Sequence, residues 1–449
     1  MSLFGTDGIR GVANTELTPE LAFEVGRAGA AALSAGQQRR VLMVGRDTRI
    51  SGTMLESAIV AGITSAGCDA VLLGVIPTPG VAYVTRCEQA LGGIVISASH
   101  NPVADNGIKF FGPDGFKLSD DAESAIESLL GSKTLPRPDG AGVGVVRSSQ
   151  NLGRHYYRHL YELGVDLHGL HVVVDAAYGA AFAVAPYALR KLGATVTELH
   201  CTNEGSRINV GCGATDLRPL QAAVRALIES GERRVVGVAF DGDADRALFV
   251  DETAEAVSGD HVMFAIGTAM HDAGELAHDT IVGTTMSNFG FERALAARGI
   301  ALVRAPVGDR YVLESMRAGG FDLGGEQSGH VIDLRHGTTG DGPAIAMSLL
   351  RLLVERNVTL HDLIAAIEPV PQVLVNVRTR RRDVLDTDTV RAAIAAGEGS
   401  LGANGRLLVR ASGTEPLVRV MAEGDDRRLV EQVAGRVAAA IEKEIANLA

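Results

Sequence analysis

Two hydrophobic patterns alternate along the chain. Short apolar runs typical of buried strands, such as VLMVG at 41–45, precede Ala-rich stretches with apolar residues at helical spacing, such as 51–66. Parallel strands need long crossovers, so this alternation predicts α/β units with helices between parallel strands. Further strands are predicted at 70–75, 91–98, 171–176, 195–199, 234–240, 280–285 and 300–305, and helices at 119–130, 181–192 and 341–356.

Polar breaks divide this pattern. GSKTLPRPDGAGVG (131–144) is rich in Gly and Pro and predicts a linker, and ETAEAVSGD (252–260) is a second break. The last segment, from 369, contains apolar runs and a final amphipathic stretch but is too short for another α/β unit, so it predicts a small α+β domain. The predicted domains are 1–150, 151–252, 253–368 and 369–449, whereas the length of 449 residues alone favours about three.

Composition narrows the class of protein. The chain is 46% hydrophobic and 21% charged, and its net charge of -12 argues against a nucleic-acid partner. The start, MSLFGTDGIRG, lacks a basic region followed by an apolar run, and the chain has no uninterrupted stretch of membrane-spanning length. We therefore expect a cytoplasmic protein with no membrane contact. The cysteines show no CxxC spacing and are expected to be isolated thiols; they are Cys68, Cys87, Cys201 and Cys212.

The stretch VVGVAFDGDADRALFV (235–250) ends an apolar strand in three aspartates, Asp241, Asp243 and Asp245. Two charges 4 Å apart repel by about 4 kcal/mol at an effective dielectric of 20, so this loop predicts a bound cation. Carboxylate oxygens favour Mg²⁺ or Ca²⁺ over Zn²⁺. An EF-hand is excluded, since Arg246 stands where that loop needs Gly. Phosphatases with an aspartate nucleophile usually have Thr or Val where this chain has Asp245.

A second apolar run ends in VISASHNP (95–102), which places Ser99 and His100 before an Asn-Pro turn. The GxSxG pattern of an esterase elbow is missing. A serine beside a divalent cation can instead carry a phosphoryl group, because the cation offsets the charge. A serine that merely ends a strand is an equally good interpretation of this stretch alone.

Four other stretches carry candidate ligands for phosphates or sugars. RASGTEPLVR (410–419) combines hydroxyls, backbone N–H groups and guanidinium groups, as a phosphate requires. In GGEQSGH (324–330) a carboxylate beside a hydroxyl suits sugar hydroxyls. FGTDGIRG (4–11) and NGIKF (106–110) each place one cation beside glycines. Taken alone, each also fits a polar turn, and a lysine after an Asn-Gly turn is usually solvated.

Taken together, FGTDGIRG, SASHNP, DGDADR, GGEQSGH and RASGTEPLVR occur in the order typical of one family. From Phe4 to about Glu423 the chain resembles the α-D-phosphohexomutases. Gln327 and Ser97, where other branches tend to have Met and Thr, favour the branch that acts on glucosamine phosphates; a phosphoglucomutase/phosphomannomutase is the alternative. The resemblance implies four domains around a central cleft: three related α/β domains with mixed sheets and a small C-terminal α+β domain.

The resemblance also implies an activity: interconversion of glucosamine 6-phosphate and glucosamine 1-phosphate through a phosphoserine and glucosamine 1,6-bisphosphate, supplying amino-sugar nucleotide precursors of the cell wall. One Mg²⁺ per chain is implied, and a homodimer is left open. The implied roles are Ser99 as phosphoserine; Asp241, Asp243, Asp245 and the phosphate on Ser99 as metal ligands; Arg10, His100 and Arg246 around the transferred group; Lys109 and His330 as acid/base candidates; Glu326 and Ser328 on sugar hydroxyls; and Arg410, Ser412, Gly413, Thr414 and Arg419 on the other phosphate.

Two rival classes are kept. A metal-dependent sugar phosphatase would release inorganic phosphate steadily, which a mutase does not. A non-catalytic sugar-phosphate binding protein would need neither Ser99 nor Mg²⁺. The sequence does not reveal how a C2 amine is distinguished from a hydroxyl.

Overall fold

The computed structural model describes residues 3–5, 7–37, 40–412 and 416–447. Its chain forms two compact units. The first comprises Met1–Thr284 and Ala305–Ile364, and the second comprises Thr285–Arg304 and Ala365–Ala449.

The first sheet has the strand order β1-β5-β4-β2-β3-β6, and β5 runs antiparallel to its two neighbours. β2 is the parallel centre, paired with β3 and β4. The predicted linker ends in a short edge strand, β6, that rejoins this sheet. The elements are β1 (Ile9–Val12), α1 (Pro19–Ser34), β2 (Val41–Arg46), α2 (Gly52–Ser65), β3 (Asp69–Val75), α3 (Thr78–Cys87), β4 (Gly92–Ile96), β5 (Asp105–Phe111), α4 (Asp120–Leu129) and β6 (Val146–Ser148).

Helices α1 and α2 pack closely against each other because glycines lie at their contact. A Cβ on Gly26 would lie 2.4 Å from the carbonyl oxygen of Ile59, and one on Gly62 would lie 2.1 Å from that of Phe23. Any larger side chain would push the two helices apart. The Ala-rich sequence of α1 is therefore matched to the narrow space above the sheet.

The second sheet has the order β11-β10-β9-β7-β8, with β7, β8 and β9 parallel and β10 antiparallel to β9. All six residues of β9 are buried, as its uninterrupted apolar run predicts. The polar break at 252–260 contains the two-residue strand β11. The elements are α5 (Gln150–Leu163), β7 (His171–Asp175), α6 (Val184–Lys191), β8 (Thr195–Leu199), α7 (Arg218–Glu229), β9 (Val235–Phe240), β10 (Ala247–Val250) and β11 (Ala256–Val257).

In the third segment, β14 pairs in parallel with β12 and antiparallel with β15. A tight turn joins β14 and β15 and carries GGEQSGH. The elements are α8 (Gly259–Asp272), β12 (Thr280–Thr284), α9 (Phe289–Ala296), β13 (Ala301–Ala305), α10 (Asp309–Gly319), β14 (Leu323–Gly325), β15 (Val331–Asp333), α11 (Gly342–Arg356) and α12 (Leu360–Ile364).

The last sheet belongs to the second unit and is antiparallel, in the order β16-β18-β17. Apolar residues of α14 at helical spacing, including Val430, Val433 and Val437, are buried in the core of this sheet. The predicted α+β character of the segment is confirmed. The elements are β16 (Gln372–Arg378), α13 (Asp388–Leu401), β17 (Gly405–Ala411), β18 (Leu417–Gly424) and α14 (Arg427–Asn447).

Helix α9 is part of the second unit although it lies far from β16–β18 in sequence. The Asn288 side chain donates to the Val370 carbonyl and accepts from the Val370 N–H, both at 3.0 Å. The N–H of Phe289 donates to Glu423 at 3.3 Å, and the Glu423 carboxylate is also held by Arg406 at 2.6 Å. These contacts fasten the start of α9 to the C-terminal sheet.

The predicted fold class is confirmed: three α/β units with mixed sheets precede a small α+β domain. The mixed character follows from an antiparallel strand in each α/β sheet, beside the parallel strands that the strand–helix alternation predicts. The exact domain boundaries stay predictions. The four cysteines are free thiols, and no helix among the described residues is long and apolar enough to cross a membrane.

Candidate active site

Ser99 lies just beyond β4 in a left-handed conformation with φ of 51°. That conformation is rare for a residue other than glycine and persists only where its surroundings hold it. The N–H of Ser99 donates to Ser97 Oγ at 2.9 Å, and its carbonyl accepts from Arg49 at 2.9 Å and from Asn209 at 2.8 Å. The backbone contacts therefore fix the direction of the buried hydroxyl.

The three aspartates follow β9 and meet this hydroxyl. Ser99 Oγ donates to Asp241 Oδ2 at 2.6 Å, and His100 Nδ1 lies 3.2 Å from Ser99 Oγ. One carboxylate oxygen from each of Asp241, Asp243 and Asp245 lies within 4.8 Å of the others, and all three side chains are buried. The fold thus brings together the serine and the acidic loop that the sequence singled out.

The acidic cluster fits a metal cation. Asp243 Oδ1 and Asp245 Oδ1 are buried and have no hydrogen-bond partner in the described part of the chain. Burial, together with the neighbouring charges of Asp245 and Asp243, raises the pKa of Asp241 well above its ordinary value. A bound cation would satisfy the two oxygens and offset this repulsion, so the residues present can hold a metal ion.

Lys109 lies on β5 and is buried among carboxylates. Its ammonium is 3.1 Å from Asp243 Oδ2, 3.0 Å from Asp7 Oδ2 and 3.9 Å from Asp245 Oδ2. Burial opposes the charge, but Asp243, Asp7 and Asp245 outweigh it and raise the pKa of Lys109. The reading of Asn106-Gly107 as a turn with a solvated lysine was wrong, because both residues belong to a strand paired on both sides.

Asp7 is a site residue that the sequence reasoning missed. Its carboxylate contacts Arg10, Lys109 and Lys117, and Lys117 in turn contacts Asp309. Burial opposes ionisation of Asp7, but Lys109 and Lys117 lower its pKa well below the ordinary value. Asp7 lies in FGTDGIRG, the stretch that the sequence analysis singled out for Arg10, but no role was predicted for Asp7 itself.

Arg10 contacts Asn101 and Arg246 contacts Asp241, two residues of the loops that meet at Ser99, and their role around a transferred group stays a prediction. Arg10 Nη1 donates to the Asn101 side chain at 3.1 Å. The backbone N–H of Arg246 donates to Asp241 Oδ1 at 3.3 Å, and its guanidinium Nε lies 4.0 Å from Asp245 Oδ1. Guanidinium groups at these two loops can bind an anion.

His330 faces the acidic cluster from the β14–β15 turn. Its Nδ1 is 3.6 Å from Asp245 Oδ2, while its Nε2 is buried and has no hydrogen-bond partner among the described residues. Burial opposes protonation, but Asp245 and Asp309 raise the pKa of His330. The ring is therefore held at one nitrogen and left available at the other.

The predicted sugar ligands form a small fixed unit. Ser328 Oγ donates to Glu326 Oε2 at 3.0 Å, and Glu326 Oε1 accepts from the N–H of Gly308 at 3.0 Å. The carboxylate is oriented by these two donors. It retains acceptor capacity for hydroxyl groups, since a carboxylate has about four lone-pair sites.

The second unit carries the predicted phosphate ligands. Arg410 and Arg419 are directly opposite on β17 and β18, and burial together with the charge of Arg419 lowers the pKa of Arg410. Like charges in opposed positions destabilise a sheet unless an anion is shared. Ser412 donates its N–H to Leu417 at 2.8 Å and accepts from Arg382 at 3.2 Å. Gly413 and Thr414 lie outside the described residues.

Arg49 and Asp47 organise the Ser99 loop and were also missed. The fully buried guanidinium of Arg49 donates to four loop carbonyls. Asp47 pairs with Arg49 at 3.0 Å and accepts from Ser97 Oγ at 2.6 Å, while burial raises the pKa of Asp47 to about 6. The available signal was that GRDTR directly follows a predicted strand. The four carbonyls belong to Ser99 (2.9 Å), Asn101 (2.8 Å), Pro102 (2.5 Å) and Asp105 (2.9 Å).

Thr78 is a further residue that sequence reasoning did not identify. It begins α3, and its N–H and hydroxyl donate to the carbonyl and Oδ2 of Asp243 at 2.9 and 2.6 Å. The loop that carries the three aspartates is thereby held by α3 as well as by the strand that it follows, β9.

Replacing Arg49 by Lys is expected to lower both stability and turnover. The charge remains, but one ammonium cannot serve four carbonyls, and an unsatisfied buried acceptor costs about 1–3 kcal/mol. Denaturant unfolding and steady-state kinetics measure the two effects. Arg147→Lys is the control, since Arg147 makes an exposed pair with Asp69. Equal stability of the two variants would contradict the role assigned to Arg49.

Comparison with known proteins gives the class to which this fold and site belong. Family models described as phosphoglucomutase/phosphomannomutase match residues 1–137 (alpha/beta/alpha domain I), 154–255 (domain II), 258–370 (domain III) and 374–440 (C-terminal domain). The chain therefore belongs to the phosphoglucomutase/phosphomannomutase family.

The relatives are more specific. A protein of Desulforudis audaxviator named phosphoglucosamine mutase is 51% identical over 436 residues, covering 96% of each chain. One of the same name from Rhodococcus jostii is 50% identical, covering 97% of this chain and 99% of its own.

Two solved structures share the fold. A phosphoglucomutase/phosphomannomutase family protein from Burkholderia thailandensis has a TM-score of 0.84 and 23% identity, covering 99% of this chain and 97% of its own. An N-acetylphosphoglucosamine mutase from Aspergillus fumigatus, in complex with GlcNAc-6P and magnesium, has a TM-score of 0.68 and 18% identity, covering 98% of this chain and 95% of its own.

Proposed function

We propose that this protein is a phosphohexomutase that interconverts glucosamine 6-phosphate and glucosamine 1-phosphate, supplying amino-sugar nucleotide precursors of the cell wall. The observation that carries the chemistry is the buried Ser99 hydroxyl, 2.6 Å from Asp241 in a cluster of three carboxylates. The choice of sugar rests on relatives that are about half identical along nearly the whole chain and carry the name phosphoglucosamine mutase.

Ser99 stores the phosphoryl group in this scheme. The P–O bond to Ser99 Oγ breaks while a new P–O bond forms to the sugar's C1 hydroxyl, giving glucosamine 1,6-bisphosphate. The intermediate then turns, and its 6-phosphate returns to Ser99 by the reverse bond changes. The protein's task is mainly positioning, because phosphoryl transfer needs little covalent assistance.

Mg²⁺ is the proposed cation. Asp241, Asp243 and Asp245 would hold it, together with a phosphate oxygen on Ser99, and carboxylate oxygens are the ligands Mg²⁺ prefers. The ion would neutralise charge that develops on the transferred group. The Aspergillus fumigatus mutase that shares this fold at 18% identity is in complex with magnesium, which supports this choice among hard cations.

Proton movements are assigned to Lys109 and His330. The three carboxylates around Lys109 raise its pKa and keep its ammonium charged, so it carries a proton that can pass to the departing Ser99 oxygen. A cation bound by Asp243 and Asp245 would weaken this attraction and make the ammonium a stronger acid. The Nε2 atom of His330 is buried without a partner among the described residues and suits the sugar hydroxyl. Arg10, Arg246 and His100 surround the phosphoryl group and hold its oxygens.

Substrate binding is assigned to two groups of residues. Glu326 and Ser328 accept and donate hydrogen bonds to neighbouring sugar hydroxyls. The opposed guanidinium groups of Arg410 and Arg419, with Ser412, Gly413 and Thr414, hold the phosphate that is not being transferred. Because the intermediate turns, this phosphate site must accept either end of the sugar.

A coupled assay tests the proposed function. Glucosamine, glucose and mannose phosphates are compared with Mg²⁺ and a trace of the matching 1,6-bisphosphate. The glucosamine phosphates are expected to give the highest kcat/KM with little release of inorganic phosphate. Steady release of phosphate would indicate a phosphatase instead, and preference for glucose or mannose would place the chain in another branch of the family.

Replacing Arg419 by Ala is expected to raise the KM for both the 1-phosphate and the 6-phosphate. A charge-assisted hydrogen bond is worth about 1.5–3 kcal/mol, which corresponds to roughly a tenfold to hundredfold change. Initial rates in both directions measure it. Arg436→Ala, at an exposed position of α14, is the control. An effect on only one isomer would exclude a shared phosphate site.

A further inference from the structure

A groove of about 1190 Å³ lies in the first unit, at the carboxyl ends of β2 and β3. Arg46 and Val75 line it where these strands end, and residues of α5 and α6 also line it. The described residues that line the groove include none of the candidate active-site residues. The carboxyl ends of parallel strands are where open α/β sheets usually bind ligands.

The groove is positively charged in a protein whose net charge is -12. Arg46, Arg154, Arg158 and Lys191 line it, and no Asp or Glu is among its described lining residues. Arg154 and Arg158 lie one turn apart on α5, so their like charges repel. Arg46 is paired with Glu56 at 3.3 Å and Arg158 with Glu162 at 2.7 Å, whereas Arg154 makes no ion pair or hydrogen bond within the described residues. This arrangement favours a bound anion.

The groove is also aromatic, although the protein is poor in aromatic residues. Three of the chain's 7 tyrosines line it: Tyr157, Tyr161 and Tyr187. Tyr161 is 53% exposed and Tyr187 is 51% exposed. Exposed tyrosine rings next to cations are typical of sites where a planar ring stacks close to a phosphate.

From this combination we propose that the groove binds a nucleoside diphosphate, as a site separate from the active site. The base stacks on the tyrosines, and the diphosphate contacts Arg154 and Lys191. The ammonium of Lys191 already lies 5.8 Å from the centre of the Tyr187 ring, so a phosphate held there would be adjacent to a base on that ring. The volume is ample, since ordinary small-molecule sites are about 300–1,000 Å³.

Two chain segments lead from the groove to the active site. Arg46 donates to the carbonyl oxygen of the next residue, Asp47, at 3.2 Å, and Asp47 helps to hold the Ser99 loop. Ile76 lines the groove two residues before Thr78, which donates to Asp243 at 2.6 Å. A bound nucleotide is therefore expected to slow amide hydrogen exchange at 45–49 and 75–80.

Calorimetric titration of the full-length, Mg²⁺-loaded protein tests the proposal, with excess glucosamine 6-phosphate present to occupy the active site. The probes are UDP, ADP, uridine and pyrophosphate. UDP and ADP are expected to bind more tightly than pyrophosphate or uridine. The Arg154→Gln/Lys191→Gln double substitution should lower the affinity for UDP and ADP by about tenfold or more. Tyr187→Ala should lower the affinity for UDP and ADP but leave the affinity for pyrophosphate unchanged.

Arg225→Gln is the matched control, because it removes one exposed positive charge from α7, away from the groove. It should bind UDP as the unmodified protein does, and all these variants should keep their mutase activity without nucleotide. The proposal is overturned if neither UDP nor ADP binds at millimolar concentration, or if the double variant binds them unchanged. Equal affinity for pyrophosphate and UDP would also overturn it, since the tyrosines would then contribute nothing.

Discussion

Ser99→Ala is expected to abolish mutase activity, with a loss of more than about a thousandfold, because the variant lacks the oxygen that carries the phosphoryl group. Freshly purified wild-type protein should be wholly or partly heavier by the mass of one phosphate, and this mass should map to the peptide that contains Ser99. The variant should lack that mass. Intact and peptide mass spectrometry, together with the coupled assay, measure both effects.

The controls separate loss of the donor from loss of folding. Ser128→Ala removes a hydroxyl on the exposed side of α4, where it donates to the Ala125 carbonyl within the helix. It should change neither the phosphate mass nor the mutase activity. Dephosphorylated wild-type protein should have low mutase activity until glucosamine 1,6-bisphosphate is added, and its activity should then recover. Ser99→Ala should not recover. Full bisphosphate-dependent turnover by Ser99→Ala would refute the role of Ser99.

Asp243→Asn is expected to lower the affinity for Mg²⁺ by about tenfold or more and to reduce turnover sharply when the metal is limiting. The variant loses one of three charged ligands, and the affinity of oxygen sites depends on their ligand charge. It also loses the strongest attraction on the Lys109 ammonium, 3.1 Å away. Activity as a function of Mg²⁺ concentration and direct titration calorimetry measure the change.

Asp251→Asn is a matched control for this experiment. Asp251 is likewise a buried aspartate that follows a strand of the same sheet, but its carboxylate accepts from Thr253 and the N–H of Glu255. It should leave the Mg²⁺ dependence unchanged. If Asp243→Asn keeps full activity at limiting Mg²⁺ and folds normally, the acidic loop is not the metal site.

The elements were largely predictable because strands and helices leave strong local patterns. The all-buried run of β9 and the Ala-rich helices appeared within a few residues of their observed ends. The meeting of Ser99 with the aspartates was also anticipated, although the two loops lie 142 residues apart. Both loops follow apolar strands, and the carboxyl ends of such strands are where ligands bind.

The residues that were missed depend on contacts that sequence periodicity does not encode. Asp7, for example, is held by Lys109 and Lys117, both far away along the chain. Lys109 itself was named only from the family resemblance, because Asn-Gly alone usually marks a turn, whereas pairing on both edges of β5 overrides that local preference. Arg49 is a charged residue that would ordinarily lie at the surface. Its burial became favourable only when four distant carbonyls and Asp47 surrounded it.

The attachment of α9 to the C-terminal sheet limits how this enzyme can be divided for experiments. A cut before residue 369, at the predicted start of the last domain, would separate Asn288 from Val370 and Phe289 from Glu423. The excised C-terminal fragment would expose the polar groups that α9 satisfies, and the remainder would carry a loose helix. A fragment intended to fold alone should therefore carry residues 285–304 fused to 365–449, and circular permutation offers a direct way to build it.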